Sequence, residues 1–151
     1  MDKLSIKIFR ISSEDFKDLP LPSYMTDGSA GMDLYAAVNE PVVINPMSSV
    51  LVPTNLKIEL PIGFEAQIRP RSGLAFRNKI ILPNSPGTID SDYRGEIRII
   101  MMNLGAEPFT INRGDRIAQM VVSEYKRAVW EESMTLGKTH RGEGGFGSTG
   151  K

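Results

Sequence analysis

The 151-residue chain has no cysteine and no excess charge of either sign. Without cysteine it can form no disulfide framework, zinc–thiolate site or catalytic thiol. Lys and Arg number 18, as do Asp and Glu, so the formal net charge is zero. A binder of long nucleic acids usually carries a basic excess, and the balance argues against such a partner. It leaves room for a small anion held by a few local cations.

Long hydrophobic runs are also missing. No run approaches the roughly 18 apolar residues needed to span a bilayer. The N-terminal MDKLSIKIFR alternates polar and apolar residues and has no apolar signal region. We therefore expect no membrane association, and the absence of cysteine fits a cytoplasmic protein.

Helical periodicity is scarce, and apolar residues mostly recur at every second position, which predicts half-buried strands. The clearest alternating sets are Leu4, Ile6 and Ile8; Leu56, Ile58 and Leu60; Phe64, Ala66 and Ile68; and Ile97, Ile99 and Met101. Shorter strands are predicted at Val42–Ile44, Ser49–Val52, Ile80–Leu82, Phe109–Ile111 and Ile117–Val122. The best helix candidate is Ser72–Arg77. Many short strands broken by 10 prolines and 14 glycines predict one all-β domain, a jelly-roll-like barrel or sandwich.

A compositional break separates the C-terminal segment from the rest. Residues 137–151, GKTHRGEGGFGSTGK, contain six glycines and a single large apolar residue, Phe146. Such a segment cannot bury enough surface to offset its ordering entropy. We therefore divide the chain into a barrel domain at 1–136 and a mobile tail at 137–151. A frayed terminus is the simple interpretation, and a flap that orders over a flat, anionic ligand is the alternative.

Two segments place polar groups beside small residues. In AGMDLYAA, Asp33 interrupts an apolar strand and either caps a turn or pairs with an arginine, unless it has a functional role. In PRSGLA, a proline ends a strand, Arg71 follows, and Ser72 is positioned to cap a short helix. An arginine and a hydroxyl at a helix N-terminus form a compact phosphate cradle, although an ordinary capped turn has the same pattern.

Three further segments complete the set. Asn84 and GTIDSDYRGE predict a hairpin with arms Thr88–Asp90 and Tyr93–Arg98. A polar hairpin tip is the simple interpretation, but it does not readily explain Asp90, which lies before the turn on an otherwise apolar arm. In RGDRIAQ, a turn opens a strand that contains Gln119; the integrin-binding tripeptide RGD is common by chance and is discounted. The tail RGEGGFGSTG superficially looks like a P-loop but lacks Gly-Lys-Ser/Thr entering a helix.

These five segments, taken together in this order, resemble the five motifs of the trimeric dUTPase family. The resemblance covers about Ser23 to Gly150, with Met32 and Thr88 at positions that commonly hold other residues. It implies a dUTPase-like jelly-roll β-barrel of the β-clip type, with a short helix after the second motif. It also implies a homotrimer whose active sites are shared between subunits, each closed by a neighbour's tail.

The resemblance further implies Mg²⁺-dependent hydrolysis of dUTP to dUMP and pyrophosphate, which supplies dUMP for dTMP synthesis and keeps uracil out of DNA. Asp90 would hold and activate the water that attacks the α-phosphorus. The ring of Tyr93 would pack on the deoxyribose and exclude a 2′-hydroxyl. The remaining residues implied to contact uracil are Asn84, Gly87, Thr88, Ile89 and Arg98.

The phosphate and metal contacts follow from the same resemblance. Mg²⁺ would be held mainly by the triphosphate, with Asp33 touching it through water. The residues implied to bind phosphate oxygens are Arg71, Ser72, Gly73, Gln119, Arg141, Ser148 and Thr149. In the tail, Phe146 would cover the uracil ring beside Gly147. No role is assigned to Arg94, Arg116 or His140.

Two other functions remain open. A dCTP deaminase resembles the family in fold and phosphate site, but it must activate water against the base. A non-catalytic, dUTPase-like nucleotide-binding module is the alternative from another class. The presence of Asp90 and of the whole tail favours the phosphohydrolase over both.

Overall fold

A computed structural model describes residues 3–146. The elements in chain order are β1 Lys7–Arg10, β2 Met32–Tyr35, β3 Val42–Ile44, β4 Ser49–Pro53, β5 Leu56–Glu59, β6 Phe64–Arg69, α1 Ser72–Asn78, β7 Ile80–Ile81, β8 Gly87–Ile89, β9 Arg98–Asn103, β10 Phe109–Ile111 and β11 Arg116–Glu124. Within this range, no helix has the length and apolar character to cross a bilayer.

The strands pair antiparallel in four small sheets. The largest has the order β2-β11-β6-β8, the next has the order β4-β9-β7, and the remaining strands pair as β1–β5 and β10–β3. The prediction of an all-β, jelly-roll-like fold with one short helix is confirmed. The strands of the described part do not join into one closed ladder, so the barrel is open.

Alternating burial along the strands builds the core. In β9, Ile99 and Met101 are buried while Arg98 and Ile100 are exposed. Each fully buried side chain of this size contributes about 1.5–3 kcal/mol relative to an exposed one. The largest fully buried side chains come from both larger sheets, from β3 and β10, and from the residue directly before β9. They are Leu34, Ile44, Ile80, Ile97, Ile99, Met101, Ile111, Ile117, Val52 and Asn103.

Asn103, at the end of β9, is the polar member of that buried set. Its Nδ2 donates to the carbonyl oxygens of Ile44, at 2.9 Å, and Glu107, at 2.8 Å. Its Oδ1 accepts from the backbone N–H of Gly105 at 2.7 Å. One amide thus ties β3, β9 and the turn before β10 together.

Replacing this amide is expected to destabilise the fold strongly. Asn103→Ala would remove these three hydrogen bonds from a buried site, which costs about 2–4 kcal/mol of unfolding free energy. Urea unfolding followed by circular dichroism measures the change. Asn112→Ala, at an exposed turn position, is the control and should shift the unfolding free energy by less than about 0.5 kcal/mol. Equal effects in the two variants would contradict the structural role of Asn103.

Two details of the strand prediction are wrong at the N-terminus. The first strand begins at Lys7 rather than Leu4, and both Leu4 and Ile8 are exposed, at 40% and 38%. Ile8 lies directly opposite the buried Ile58, but β1 is an edge strand that pairs only with β5, so its side chains are less covered than those of its partner. Ile6 does pack against the core, as the alternation predicts.

The predicted hairpin between Thr88–Asp90 and Tyr93–Arg98 is also wrong. A turn is present, since the N–H of Tyr93 donates to the carbonyl of Asp90 at 3.1 Å. The two arms nevertheless pair elsewhere: β8 joins β6, while β9 joins β4 and β7. The chain therefore crosses from one sheet to the next at this turn.

The helix begins differently from the prediction. Arg71, not Ser72, is the N-cap residue, with extended φ and ψ of −92° and 128°, and it forms no side-chain cap hydrogen bond. Ser72 is the first helical residue, and its hydroxyl is left exposed. The helix ends where Lys79 adopts a left-handed conformation and its N–H bonds to the carbonyl of Leu74.

Candidate functional site

A cavity of about 490 Å³ opens beside the crossover turn. We call it the Tyr93 cavity. Its walls come from β4, β6, β8 and β9 and from the loops that precede and follow β8. The lining residues are Leu51, Ile68, Leu82, Asn84, Gly87, Thr88, Ile89, Asp90, Tyr93, Glu96, Arg98, Ile99 and Ile100. The residues predicted to contact a base and sugar are thereby brought together with the predicted water-activating carboxylate.

The polar groups of this cavity sit at its turn. Asp90 follows β8 directly, is exposed and lines the cavity. The ring of Tyr93 is 43% exposed, and its hydroxyl donates to the carbonyl of Glu96 at 2.9 Å. The cavity thus contains an exposed carboxylate, that of Asp90, and an aromatic ring, that of Tyr93, whose hydroxyl is fixed by a hydrogen bond.

Glu96 was missed by the sequence analysis. Its Oε2 accepts from Nε of Arg98 at 2.8 Å, and its Oε1 accepts from the backbone N–H of Asn55 at 3.0 Å. The side chain is only 14% exposed. Glu96 therefore fixes Arg98 at the start of β9 and ties the cavity wall to the β4–β5 turn. A polar residue directly before the buried Ile97 was the available signal.

A second group of polar side chains surrounds Asp33, and we call it the Arg71 cluster. Asp33 lies in β2 with its side chain 12% exposed. Its Oδ1 accepts from Nε of Arg71 at 3.1 Å, and its Oδ2 accepts from Nη1 of Arg116 at 3.2 Å. Nη1 of Arg71 also donates to the carbonyl of Arg116 at 3.1 Å. Of the two structural interpretations of Asp33, pairing with an arginine is the one observed, with two arginines rather than one.

Gln119 joins the Arg71 cluster from β11. It lies opposite Asp33 in the β11–β2 ladder, and its Nε2 donates to the carbonyl of Pro70 at 3.0 Å. Gly31 makes this placement possible, because a Cβ there would overlap Oε1 of Gln119 and lie 3.2 Å from its Cδ. Ser72 and Gly73 are exposed at the N-terminus of α1, next to Arg71.

Arg71 and Arg116 also line a second cavity, of about 320 Å³. Its other walls are mainly apolar: Leu74, Phe109, Ile111, Asp115 and Ile117. No residue is shared between this cavity and the Tyr93 cavity. The cations of the Arg71 cluster therefore face a different opening from the one that Asp90 faces.

Asp33, in the Arg71 cluster, and Thr88, in the Tyr93 cavity, lie at opposite edges of one sheet. Asp33 belongs to β2 and Thr88 to β8, and the sheet order β2-β11-β6-β8 puts two strands between them. Three strand spacings separate these edges by about 14 Å. The rest of the cluster lies between these edges, since Gln119 belongs to β11 and Arg71 follows β6. We call the Tyr93 cavity and the Arg71 cluster the two half-sites, because the described residues of one chain place them in separate cavities.

Arg113, the arginine of the RGD turn, has a structural role. It donates to both carboxylate oxygens of Asp18, at 3.0 and 2.5 Å, and its guanidinium lies 4.5 Å from the ring centroid of Phe16. The hydrogen bond from Arg113 lowers the pKa of Asp18 below its ordinary value of 3.8. These contacts fasten the N-terminal loop to the turn before β11.

The described part of the C-terminal segment, up to Phe146, lines neither cavity. Regular structure ends at Glu124, and residues 126–143 are exposed. Nε of Arg141 donates to the carbonyl of Gly144 at 2.7 Å, and the side chain of Phe146 is exposed. The predicted site residues Gly147, Ser148 and Thr149 lie outside the described residues.

The donor set suits a metal that brings most of its own ligands. Residues 3–146 contain no group of three or more His, Asp or Glu side chains that could cage an ion. In Asp33, each oxygen accepts one arginine N–H and keeps a further acceptor site. The carboxylate therefore remains able to accept from a water bound to a metal, which is the indirect contact that the resemblance implies.

Fold and half-sites together define a small jelly-roll-like β protein of the β-clip type with a split polar site. The chain belongs to the dUTPase family, whose model matches residues 17–150. A curated relative is the deoxyuridine 5′-triphosphate nucleotidohydrolase of Thermoanaerobacter sp. (strain X514). It is 59% identical over 138 residues, which cover 91% of this chain and 93% of that protein.

Solved structures of phage dUTPases share the fold. A mutant dUTPase of Staphylococcus bacteriophage 80alpha with dUpNHpp has a TM-score of 0.87 at 21% identity, with 99% of this chain and 100% of that chain covered. A mutant dUTPase from phage phi11 of S. aureus, described for its coordination of a structural Mg(II) ion, has a TM-score of 0.78 at 19% identity. That match covers 89% of this chain and all of the other.

Proposed function

We propose that the protein hydrolyses dUTP to dUMP and pyrophosphate by attack of water on the α-phosphorus. The observation that carries this proposal is the Tyr93 cavity, in which an exposed carboxylate, Asp90, stands beside an aromatic ring and a polar strand edge. Membership of the dUTPase family supports the substrate class. In the cytoplasm the reaction would supply dUMP for dTMP synthesis and keep uracil out of DNA.

The cavity suits a deoxyuridine. Residues Gly87–Ile89 of the edge strand β8 line it, together with Asn84. The N–H and C=O groups of an edge strand match the donors and acceptors of a uracil edge, as in strand-to-ligand pairing. The exposed face of Tyr93 offers an apolar surface to a deoxyribose, against which a ribose 2′-hydroxyl would be desolvated or would clash.

Asp90 is proposed to act as general base. A carboxylate within hydrogen-bond reach of a water accepts its proton as the oxygen attacks phosphorus, and the proton is then released to solvent. The P–O bond to the leaving pyrophosphate breaks as the new bond forms. Positioning and charge neutralisation supply the rest of the rate enhancement in phosphoryl transfer.

The Arg71 cluster is proposed as the phosphate side of the site. Nε of Arg71 donates to Asp33 and Nη1 donates to the carbonyl of Arg116, and these two bonds hold the guanidinium in one orientation. In that orientation the guanidinium is proposed to bind phosphate oxygens. Ser72 and Gly73 add a hydroxyl and backbone N–H groups at the start of α1, and Gln119 adds an amide. When bound with the triphosphate, Mg²⁺ would neutralise charge on its oxygens, with Asp33 in contact only through water.

The tail is proposed to complete the site. Arg141 would neutralise the γ-phosphate, Phe146 would cover uracil beside Gly147, and Ser148 and Thr149 would bind phosphate oxygens. Exposure of Arg141 and Phe146 in the described part supports this, because neither is committed to the core of its own chain. Closure of such a segment excludes water and fixes the reacting groups.

We also propose a homotrimer with shared sites. The support is that the two half-sites of one chain line separate cavities. A cyclic trimer places one edge of each subunit beside the other edge of its neighbour, which brings unlike half-sites together three times. The tail of a third chain can then reach each site.

A nucleotide panel tests the proposed reaction. Purified protein with Mg²⁺ is incubated with dUTP, dTTP, dCTP and UTP, and pyrophosphate and ammonia are measured. We expect pyrophosphate from dUTP alone and no ammonia from any nucleotide. Ammonia from dCTP would support the deaminase instead, and binding of dUTP without any product would support the non-catalytic module.

A further inference from the structure

Gly95 lies beneath the ring of Tyr93. A Cβ at this glycine would overlap Oη and Cζ of Tyr93 and lie 2.8 Å from its Cε2. These three atoms are the nearest heavy atoms to that position, and all belong to the far end of one side chain. The absence of a side chain at Gly95 therefore permits the present position of the ring.

Backbone conformation does not explain the glycine. The glycines with positive φ in the described range are Gly63, Gly114 and Gly142, and Gly95 is not among them. An alanine could adopt the backbone of Gly95 without the left-handed penalty. What the position excludes is a methyl group in the space that the Tyr93 ring occupies.

A second contact holds the same ring. The hydroxyl of Tyr93 donates to the carbonyl of Glu96 at 2.9 Å. The side chain of Glu96 is in turn fixed by Asn55 and Arg98. The ring is thus held at its hydroxyl by the carbonyl of Glu96, and it occupies the space that a side chain at Gly95 would need. The position of the ring therefore depends on Gly95.

We propose that Gly95 is a specificity-determining positioning residue, which acts through Tyr93 to discriminate deoxyribose from ribose. The inference rests on the proposed function, in which the Tyr93 ring packs on the sugar. With Gly95 the ring lies close to its own backbone; a methyl group displaces the ring and changes the space left for a 2′-hydroxyl. Because the obstructing atoms are the far end of a rotatable side chain, the ring and not the fold should absorb the change.

The test is the ratio of kcat/KM for dUTP to kcat/KM for UTP in Gly95→Ala. We expect this ratio to fall by about 10- to 100-fold, as displacement of a positioning group by about 1 Å allows. General damage to the enzyme would lower kcat/KM for both nucleotides together and leave the ratio unchanged. Gly28→Ala is the matched control, because a Cβ there meets no atom within 4 Å, and its ratio should equal that of the wild type.

Two further variants show whether Gly95 acts through the ring. Tyr93→Phe, which removes the bond to Glu96 without adding a methyl group, should lower the ratio in the same direction. In a Tyr93→Ala background, Gly95→Ala should have no further effect on the ratio, because no ring is left for the added methyl group to displace.

Several outcomes overturn the inference. An unchanged ratio in a folded Gly95→Ala protein would do so, as would full additivity with Tyr93→Ala. A Gly95→Ala protein that lacks cooperative thermal unfolding would mean that the backbone, not the ring, responds to the methyl group, which also overturns it. Failure of the proposed function is separate: the wild-type protein would then release no pyrophosphate from dUTP.

Discussion

Asp90→Asn is expected to lower kcat for dUTP by about 100- to 10,000-fold, the range that removal of a positioned general base costs. Asparagine keeps the size and the hydrogen-bonding oxygen of the side chain but cannot accept the proton of the attacking water. Asp90 is exposed at the mouth of the Tyr93 cavity and carries no ion pair among the residues described. The substitution should therefore leave folding and nucleotide affinity nearly intact.

The measurement is steady-state pyrophosphate release, paired with calorimetric titration of a non-hydrolysable dUTP analogue. Asp92→Asn is the matched control, since it neutralises an exposed carboxylate two residues away that does not line the cavity. Its kcat should remain within about twofold of the wild type, because Asp92 does not line the cavity in which the reaction is proposed to take place. Equal kcat values in the Asp90 and Asp92 variants would remove Asp90 from the mechanism.

The strands were predictable because their physics is local. Ile97, Ile99 and Met101 alternate with polar neighbours, and alternation alone identifies the buried face of β9. The crossover at Asp90–Tyr93 was not predictable in this way. A tight turn between two apolar runs is the usual signature of a hairpin, and which sheet each arm joins depends on partners far away in the chain, β6 for one arm and β4 for the other.

For the site residues too, local sequence identified individual side chains but not their partners from distant parts of the chain. Asp33 could be recognised as an isolated carboxylate in an apolar strand, but its two arginine partners come from positions 38 and 83 residues further along the chain. Arg116 therefore received no role. Glu96 was missed for the same reason, since its contact with Asn55 spans 41 residues. Sequence motifs identified which side chains carry chemistry, and tertiary contacts decide which of them act together.

The ion pairs of Asp33 and Glu96 show how a chain with zero net charge can still hold cations ready for an anion. Asp33 and Glu96 each sit largely buried against arginines, so part of the acidic half of the charge balance orients cations rather than facing solvent. A buried carboxylate that holds Arg71 and Arg116 in fixed positions prepares a site for an anion without a global basic excess. The charge pattern fits one small anionic ligand better than a polymer.

Mixed oligomers of two inactive variants are expected to regain activity. Asp90→Asn damages the Tyr93 cavity, and Arg71→Ala damages the Arg71 cluster. If each active site joins the cavity of one subunit to the cluster of the next, every mixed trimer has one intact site among its three, so the purified mixed trimers should recover about a third of the wild-type activity. Co-expression with two affinity tags, followed by tandem purification and a pyrophosphate assay, measures the recovery.

The control pairs two lesions within one half-site. Arg71→Ala mixed with Asp33→Ala should recover no activity, because both residues belong to the cluster around the same carboxylate and no interface then joins two intact halves. If each site were contained within a single chain, neither mixture would recover activity. A wild-type protein that light scattering shows to be monomeric while it is active would contradict shared sites directly. Recovery only in the first mixture is the result that the proposed trimer predicts, because there each new site takes its cavity from one subunit and its cluster from a neighbour.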